Sequence, residues 1–257
     1  MKIPFEPSVF GIRVNPHLIL EYLAFFIGFR YYIRLRKQLN DTISYPNRLS
    51  IILGAIVGAY LGSRLVGFLE NPIVLFNLKT IFQLLEAKSI MGGLFGGLIG
   101  VEIAKLIINE KHSSGDLFTF PIIIGIIIGR IGCFLSGIKE FTYGNKTNFI
   151  TGMDLGDGQF RHPTSLYEIV FLVLLFNYLK KIYYFTKEES GLLFKIFMLS
   201  YFAFRFLIEF LKPNVFYVFG LSSIQWLCII CWIYYLSTLI KILKNAYKKI
   251  HLLRLHH

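Results

Sequence analysis

The chain has 257 residues, of which 55% are hydrophobic, 17% aromatic and 16% charged, with a formal net charge of +12. Soluble domains carry charge on about a quarter of their residues, so an ordinary cytoplasmic globule and a disordered chain are both excluded. The mean hydropathy of +0.60 and a pI near 9.6 fit a helical membrane protein with Lys and Arg on its cytoplasmic loops better than a nucleic-acid binder.

Apolar runs of about twenty residues, the length that crosses a bilayer, predict an all-α, polytopic membrane protein with about seven transmembrane helices, a single integral domain over 1–257. Lys2 is followed by Pro4, Glu6 and Pro7, not by an apolar core, so no cleavable signal peptide is expected and the first span targets the chain. That span is 17–35, interrupted by Glu21 and Arg30. The second, 49–68 (GAIVGAYLG), and the third, 90–110 (GGLFGGLIG), are dense in glycine. Small residues let helices approach closely in a membrane, which predicts interior positions for both. The fourth span, 117–137, contains PIIIGIIIGRIGCFL, almost purely apolar. An ordered polar loop over 138–163 follows, then spans 164–185, 190–211 and 220–243. Cys133, Cys228 and Cys231 read as small packing residues, the Cys228-x-x-Cys231 spacing included, because they lie in or beside apolar runs.

Orientation follows from loop charge. With the N-terminus outside, thirteen Lys and Arg lie inside (Arg34, Arg36, Lys37, Arg48, Lys111, Lys180, Lys181, Lys187, Lys241, Lys244, Lys248, Lys249, Arg254) and eight outside (Lys2, Arg13, Lys79, Lys88, Lys139, Lys146, Arg161, Lys212). The positive-inside rule then gives N-out/C-in, with the basic tail on anionic inner-leaflet lipid. No internal repeat supports an inverted-repeat transporter. No His, Cys or acid spacing suits a metal, and no motif suits nucleic acid.

Ionisable residues inside a membrane are costly and are functional candidates. Arg30, Lys105 and Lys195 lie near inner span ends and can snorkel. Glu21, Arg64, Arg130, Glu168, Arg205 and Glu209 fall in the outer halves of five spans. They form either a polar cavity open to the outside or a neutral structural network. Arg205 and Glu209 are four apart and share a helix face. Arg130 sits between Gly129 and Gly132, where missing side chains clear space, and its planar multi-donor fork suits a phosphate. In Arg161-His-Pro-Thr-Ser-Leu-Tyr-Glu168, Pro163 suits a first helical turn and Thr164 or Ser165 a cap. His162 would sit at the cavity mouth, and Glu168 would meet the positive end of the helix. The same octapeptide also reads as an interfacial cap with an aromatic anchor.

Several pieces together resemble prolipoprotein diacylglyceryl transferases: Gly62-Ser-Arg64, GGLIG at 96–100, GRIGCFLSG at 129–137, RHPTSLYE at 161–168, YFAFRFLIEFLKPN at 201–214, and Gln225 after GLSS. They occur in the family's order and at similar spacing. The resemblance implies seven helices, N-out/C-in, in a bacterial plasma (inner) membrane, with the active site facing outward. It implies transfer of a diacylglyceryl group from phosphatidylglycerol to the lipobox cysteine of a prolipoprotein signal peptide, with glycerol phosphate leaving and no bound cofactor. It matches Arg130 to the main phosphate-binding Arg, Arg205 to a second essential Arg, Tyr201 and Glu209 to a neighbouring Tyr and acid, and Arg64 to an Arg of the second helix. Glu168, Gly129 and Gly132 complete the expected substrate-binding set.

The sequence departs from the family pattern. Phe95 stands where a His is usual before GGLIG, Cys133 and Ser136 replace two Asn, and Ile138 replaces an acid, with Glu140 two residues on. A base must then come from elsewhere. His162 is the expected one and His17, at the outer start of span one, the second choice; His112 and His251 are placed inside. Alternatives are a divergent paralogue using another lipid or acceptor, an inactive lipid-binding protein of the same fold, and a transporter.

Overall fold

A computed structural model describes residues 3–9, 12–39, 41–70, 85, 87–186, 190–213, 217–242 and 244. Helices dominate: α1 (Pro16–Gln38), α2 (Tyr45–Glu70), α3 (Ile90–Ile107), α4 (Asp116–Ser136), α5 (Thr164–Thr186), α6 (Leu192–Ile208) and α7 (Ser223–Tyr234). Among the described residues there are three short antiparallel hairpins: β1 (Ser8–Val9) with β2 (Ile12–Arg13) before α1, β3 (Met153–Asp154) with β4 (Phe160–Arg161) between α4 and α5, and β5 (Tyr217–Val218) with β6 (Leu221–Ser222) between α6 and α7. The predicted charges at Lys2, Lys79 and Lys187, His251, and the tail residues Lys248, Lys249, Arg254, His256 and His257 lie outside the described residues.

The first six helices match their predicted spans to within four residues. The seventh does not run straight to 243: it bends by 73° between Tyr234 and the segment Leu236–Ile242. Neither Gly nor Pro marks the break. Tyr235 turns into the core while Tyr234 stays half exposed, so packing sets the bend. By length and composition, Tyr45–Glu70, Ile90–Ile107 and Asp116–Lys139 can each cross a membrane, and the bent pair makes a fourth candidate. Large apolar side chains such as Phe25, Phe26, Leu53, Ile56, Leu61 and Leu106 are exposed, as expected of a surface that meets lipid.

The glycines of α2 and α3 act as one device. A Cβ on Gly58 would fall 2.2 Å from the Gly96 carbonyl oxygen, one on Gly62 2.3 Å from that of Gly92, and one on Gly100 2.1 Å from that of Gly54. The backbones touch because no side chain intervenes. The expected interior position is corrected for α2, whose other faces expose Leu49, Leu53, Val57, Leu61 and Leu65. Small residues bring a helix close to one partner; they do not bury its remaining surface. The core instead surrounds α6, where Phe197, Met198, Tyr201 and Phe202 are fully buried against residues of α4, α5 and α7.

Local signals fix the ends. Asn15 caps α1 by accepting from the His17 and Leu18 amides. Asp116, at the start of α4, accepts the Gly191 and Phe194 amides at 2.6 and 3.0 Å and so caps α6. Ser222 and Gln225 form a capping box on α7, and the Gln225 amide also donates to the Phe206 carbonyl at 3.2 Å. Between α1 and α2, Asp41 pairs with Arg36 at 3.1 Å and with the buried Arg48. Burial pushes the Asp41 carboxyl up, but Arg48 and Arg36 outweigh it and hold the group below the usual carboxylate range. Arg48 is therefore a buried ion-pair partner, not a free loop charge.

Candidate active site

Glu168 is the centre of the site. It lies in the second turn of α5, 1% exposed. Its carboxylate is 2.8 Å from Arg130 Nε of α4 and 2.9 Å from Arg205 Nη1 of α6, and it accepts from Tyr201 Oη at 2.5 Å. Tyr201 and Arg205 are four apart and so face α5 together. Arg205 Nη2 is 3.2 Å from Glu209, which opens the 3-10 turn Glu209–Leu211. Lys212 follows, 3.5 Å from Glu209 and 3.7 Å from Glu70 at the end of α2. The signs alternate along the string Arg130, Glu168, Arg205, Glu209, Lys212, Glu70, three cations against three carboxylates. Buried charges persist only when paired, and here each has an opposite neighbour.

The structure brings Arg130, Glu168, Tyr201, Arg205 and Glu209 together and places the other expected residues elsewhere. Glu168 reaches sideways to two arginines and does not cap its own helix. Arg64 donates to the Ala87 carbonyl at 2.9 Å and lies over the Tyr60 ring, while Glu21 pairs with Lys88 at 2.9 Å. The six outer charges thus do not share one open cavity. The network is packed, with a small cleft beside it lined by Cys133, Gly137, Thr142, Leu155, Pro163 and Ser165.

Gly129 and Gly132 differ. A Cβ on Gly129 meets nothing within 4 Å, whereas one on Gly132 would lie 3.1 Å from the His17 ring. Gly132 is the gap through which α1 delivers His17. His17 Nε2 lies 3.6 Å from Cys133 Sγ and its Nδ1 3.5 Å from Glu140. Arg130 Nη1 is 3.9 Å from the same sulfur.

His162 sits in the outer loop. Its amide donates to the Asn145 carbonyl and its carbonyl accepts from Gly144. Its ring Nδ1 is 3.1 Å from Tyr167 Oη, which in turn contacts Thr151. Among the described residues no hydrogen bond joins it to Arg130, Glu168 or Arg205. Thr164 and Ser165 both donate to the Thr142 carbonyl, at 2.5 and 3.4 Å, pinning the loop to α5 in place of the expected self-cap. Arg161 pairs with Asp157 at 2.7 Å, a hydrogen bond that holds the Asp157 carboxyl below its ordinary range. Phe95 packs between Phe202 and Tyr234, so an aromatic contact fills the place expected for a His.

Sequence reasoning missed Lys212, Glu70 and the contact of His17 with Glu140. Lys212 carried a signal, three residues after Glu209. Glu140 was visible only as an acid displaced from its expected position.

A sequence profile of prolipoprotein diacylglyceryl transferases matches residues 7–241. The chain belongs to this family. It is 33% identical over 246 residues to the phosphatidylglycerol–prolipoprotein diacylglyceryl transferase of Bordetella parapertussis, covering 85% of this chain and 89% of that relative. Similarity to the enzyme of the same name from Campylobacter hominis is 30% over 270 residues, covering 94% and 92%. For that of Ehrlichia ruminantium strain Welgevonden it is 34% over 211 residues, covering 75% and 78%. As a family member the chain is a membrane transferase of lipoprotein biosynthesis.

Proposed function

We propose that the protein transfers the diacylglyceryl group of phosphatidylglycerol to the lipobox cysteine of a prolipoprotein signal peptide, from seven spans arranged N-out/C-in in a bacterial plasma membrane, on the outer side. The observation that carries this reading is the pair of buried guanidiniums, Arg130 and Arg205, both held on Glu168. In the reaction the acceptor sulfur forms a bond to the glycerol methylene and the carbon–oxygen bond to phosphate breaks. The electron pair leaves on glycerol phosphate, and the thiol proton goes to a base. Cations brought to the departing oxygen lower that barrier. Arg130 and Arg205 supply them, while Glu168, Tyr201 and Glu209 fix their direction. Arg64 stands outside the network and anchors the backbone at Ala87 instead.

A second reading, a divergent transferase with another lipid or acceptor, is favoured by Phe95 and its aromatic contacts. One experiment separates them. Purified protein is incubated with acyl-labelled phosphatidylglycerol and a lipobox peptide, and the peptide is weighed by mass spectrometry. A diacylglyceryl mass on the peptide and released glycerol phosphate support the first reading. Transfer only from a different phospholipid selects the second, and no transfer from any phospholipid overturns both.

A further inference from the structure

The network around Glu168 is acidic and cationic by turns but offers no neutral base. Among the described residues, the one imidazole that meets it does so through sulfur. His17 Nε2 and Arg130 Nη1 lie 3.6 and 3.9 Å from Cys133 Sγ. The other ring nitrogen of His17 faces Glu140 at 3.5 Å. A nucleophile-type atom at one ring nitrogen and an orienting carboxylate at the other form the arrangement in which an imidazole accepts a proton. The approach is built in: Asn15 and Pro16 start α1 immediately before His17, and Gly132 clears the space its ring enters. The His17 and Glu140 side chains are 19% and 40% exposed, so an incoming peptide reaches this rim, whereas the Arg130 side chain is 7% exposed.

Resting on the proposed transfer, we infer that His17, oriented by Glu140, is the base that takes the proton of the acceptor thiol. The acceptor S–H gives its proton to Nε2, its sulfur lone pair forms the S–C bond, and the C–O electron pair departs on the phosphate beside Arg130. Cys133 shows that a sulfur fits between imidazole and guanidinium. It is not a covalent intermediate on this route, because its attack would leave a thioether on the protein with no leaving group for a second transfer. The acceptor thiol therefore displaces the Cys133 thiol from Nε2, and Glu140 on Nδ1 orients the imidazole. The titratable and charged groups facing His17 are Cys133 and Arg130 of α4, Glu140 of the outer loop, and Glu21 of its own helix, itself held by Lys88. His162, by contrast, spends its Nδ1 on Tyr167.

Transfer rates to a lipobox peptide are measured from pH 6 to 9 for the wild type, His17→Gln, Glu140→Gln and His162→Gln, with glycerol phosphate inhibition as a check that the phosphate site is intact. His17→Gln should lose about 10²–10⁴-fold in rate at neutral pH with unchanged inhibition, and recover as pH rises towards the free thiol pKa of about 8.5. Glu140→Gln should show a smaller loss and a displaced pH profile. A folded His17→Gln protein with the wild-type profile overturns the assignment, as does alkaline rescue found only in His162→Gln. A second readout does not depend on transfer: the rate at which methyl methanethiosulfonate labels Cys133, with the buried Cys228 and Cys231 as internal references. His17→Gln should slow that labelling at pH 7 at least tenfold and make it steeper with pH; equal rates overturn the base role. A wild type that transfers nothing yet labels Cys133 in a His17-dependent way refutes the transferase reading and leaves His17 a base for thiols.

Discussion

Glu168→Gln tests the site most directly. The carboxylate is 1% exposed, lies 2.8 and 2.9 Å from two guanidiniums and accepts from Tyr201. Glutamine keeps the shape and one acceptor but points an amide donor at a guanidinium. The six-charge string, balanced with Glu168, becomes net positive by one. Removing one partner of a buried pair costs roughly 3–5 kcal/mol. If the cost falls wholly on the reactive geometry, each 1.36 kcal/mol is a factor of ten, so kcat/KM drops by about 10²·²–10³·⁷. The excess positive charge has a second consequence: anionic phosphatidylglycerol should raise the thermal stability of the variant more than that of the wild type, since the lipid phosphate replaces the missing carboxylate. Transfer kinetics with a lipobox peptide and unfolding in detergent with and without the lipid read both. A Glu168→Gln protein with wild-type kcat/KM and wild-type stability would refute the hub role.

Arg205→Met and Glu209→Gln, combined in a double-mutant cycle on transfer rate, should show coupling of about 0.5–3 kcal/mol, because they share a buried contact at 3.2 Å; simple additivity breaks the pairing. Arg130→Lys should lose most activity despite keeping its charge, since an ammonium lacks the planar fork; wild-type rates would remove Arg130 from the phosphate. Gly96→Val puts a Cβ 2.3 Å from the Gly58 carbonyl oxygen and should destabilise the α2–α3 pair by about 1–3 kcal/mol, read as a lower unfolding temperature. Arg48→Met leaves Asp41 paired with Arg36 alone and should cost about 1–3 kcal/mol at neutral pH. Because the folded Asp41 pKa is depressed, the wild-type contribution is full above the unfolded value of about 3.9 and fades as pH falls through the lower folded value, so the variants should converge in stability in acid.

Helix positions were legible because apolar length and glycine spacing are local properties of the chain. The glycines of α2 and α3 announced a close approach, and Gly54, Gly58 and Gly62 meet Gly92, Gly96 and Gly100. What they did not announce was burial, since that depends on how many other helices surround the pair. Arg130, Glu168, Arg205 and Glu209 were legible as a set, unlike Lys212 and Glu70 at helix ends, since each is a charge in an apolar run. Their wiring was not. Glu168 read as a helix-end carboxylate, because its two arginine partners come from other helices and no spacing rule joins them. The bond between Arg205 and Glu209 was readable, being four residues apart in one helix. The contacts of His17 were hidden for the same reason as those of Glu168: its partners Cys133 and Glu140 are more than a hundred residues away.

The charge balance of the network bears on how a phosphate is bound. Three buried cations already facing three carboxylates leave no spare positive charge for a lipid anion. Departure of glycerol phosphate makes the demand larger, since a phosphodiester carries one negative charge and the monoester carries about 1.5 to 2 at neutral pH. The donors for that extra charge have to come from within. Arg205 Nε is buried and has no hydrogen-bond partner among the described residues. An unsatisfied buried donor costs about 1–3 kcal/mol, a cost that a structural ion pair alone would not need to carry. In the proposed reaction that donor, and the Arg130 fork turned from Glu168, meet the phosphate oxygens as the C–O bond breaks, and Glu168 keeps the second guanidinium in register while the first is lent to the leaving group.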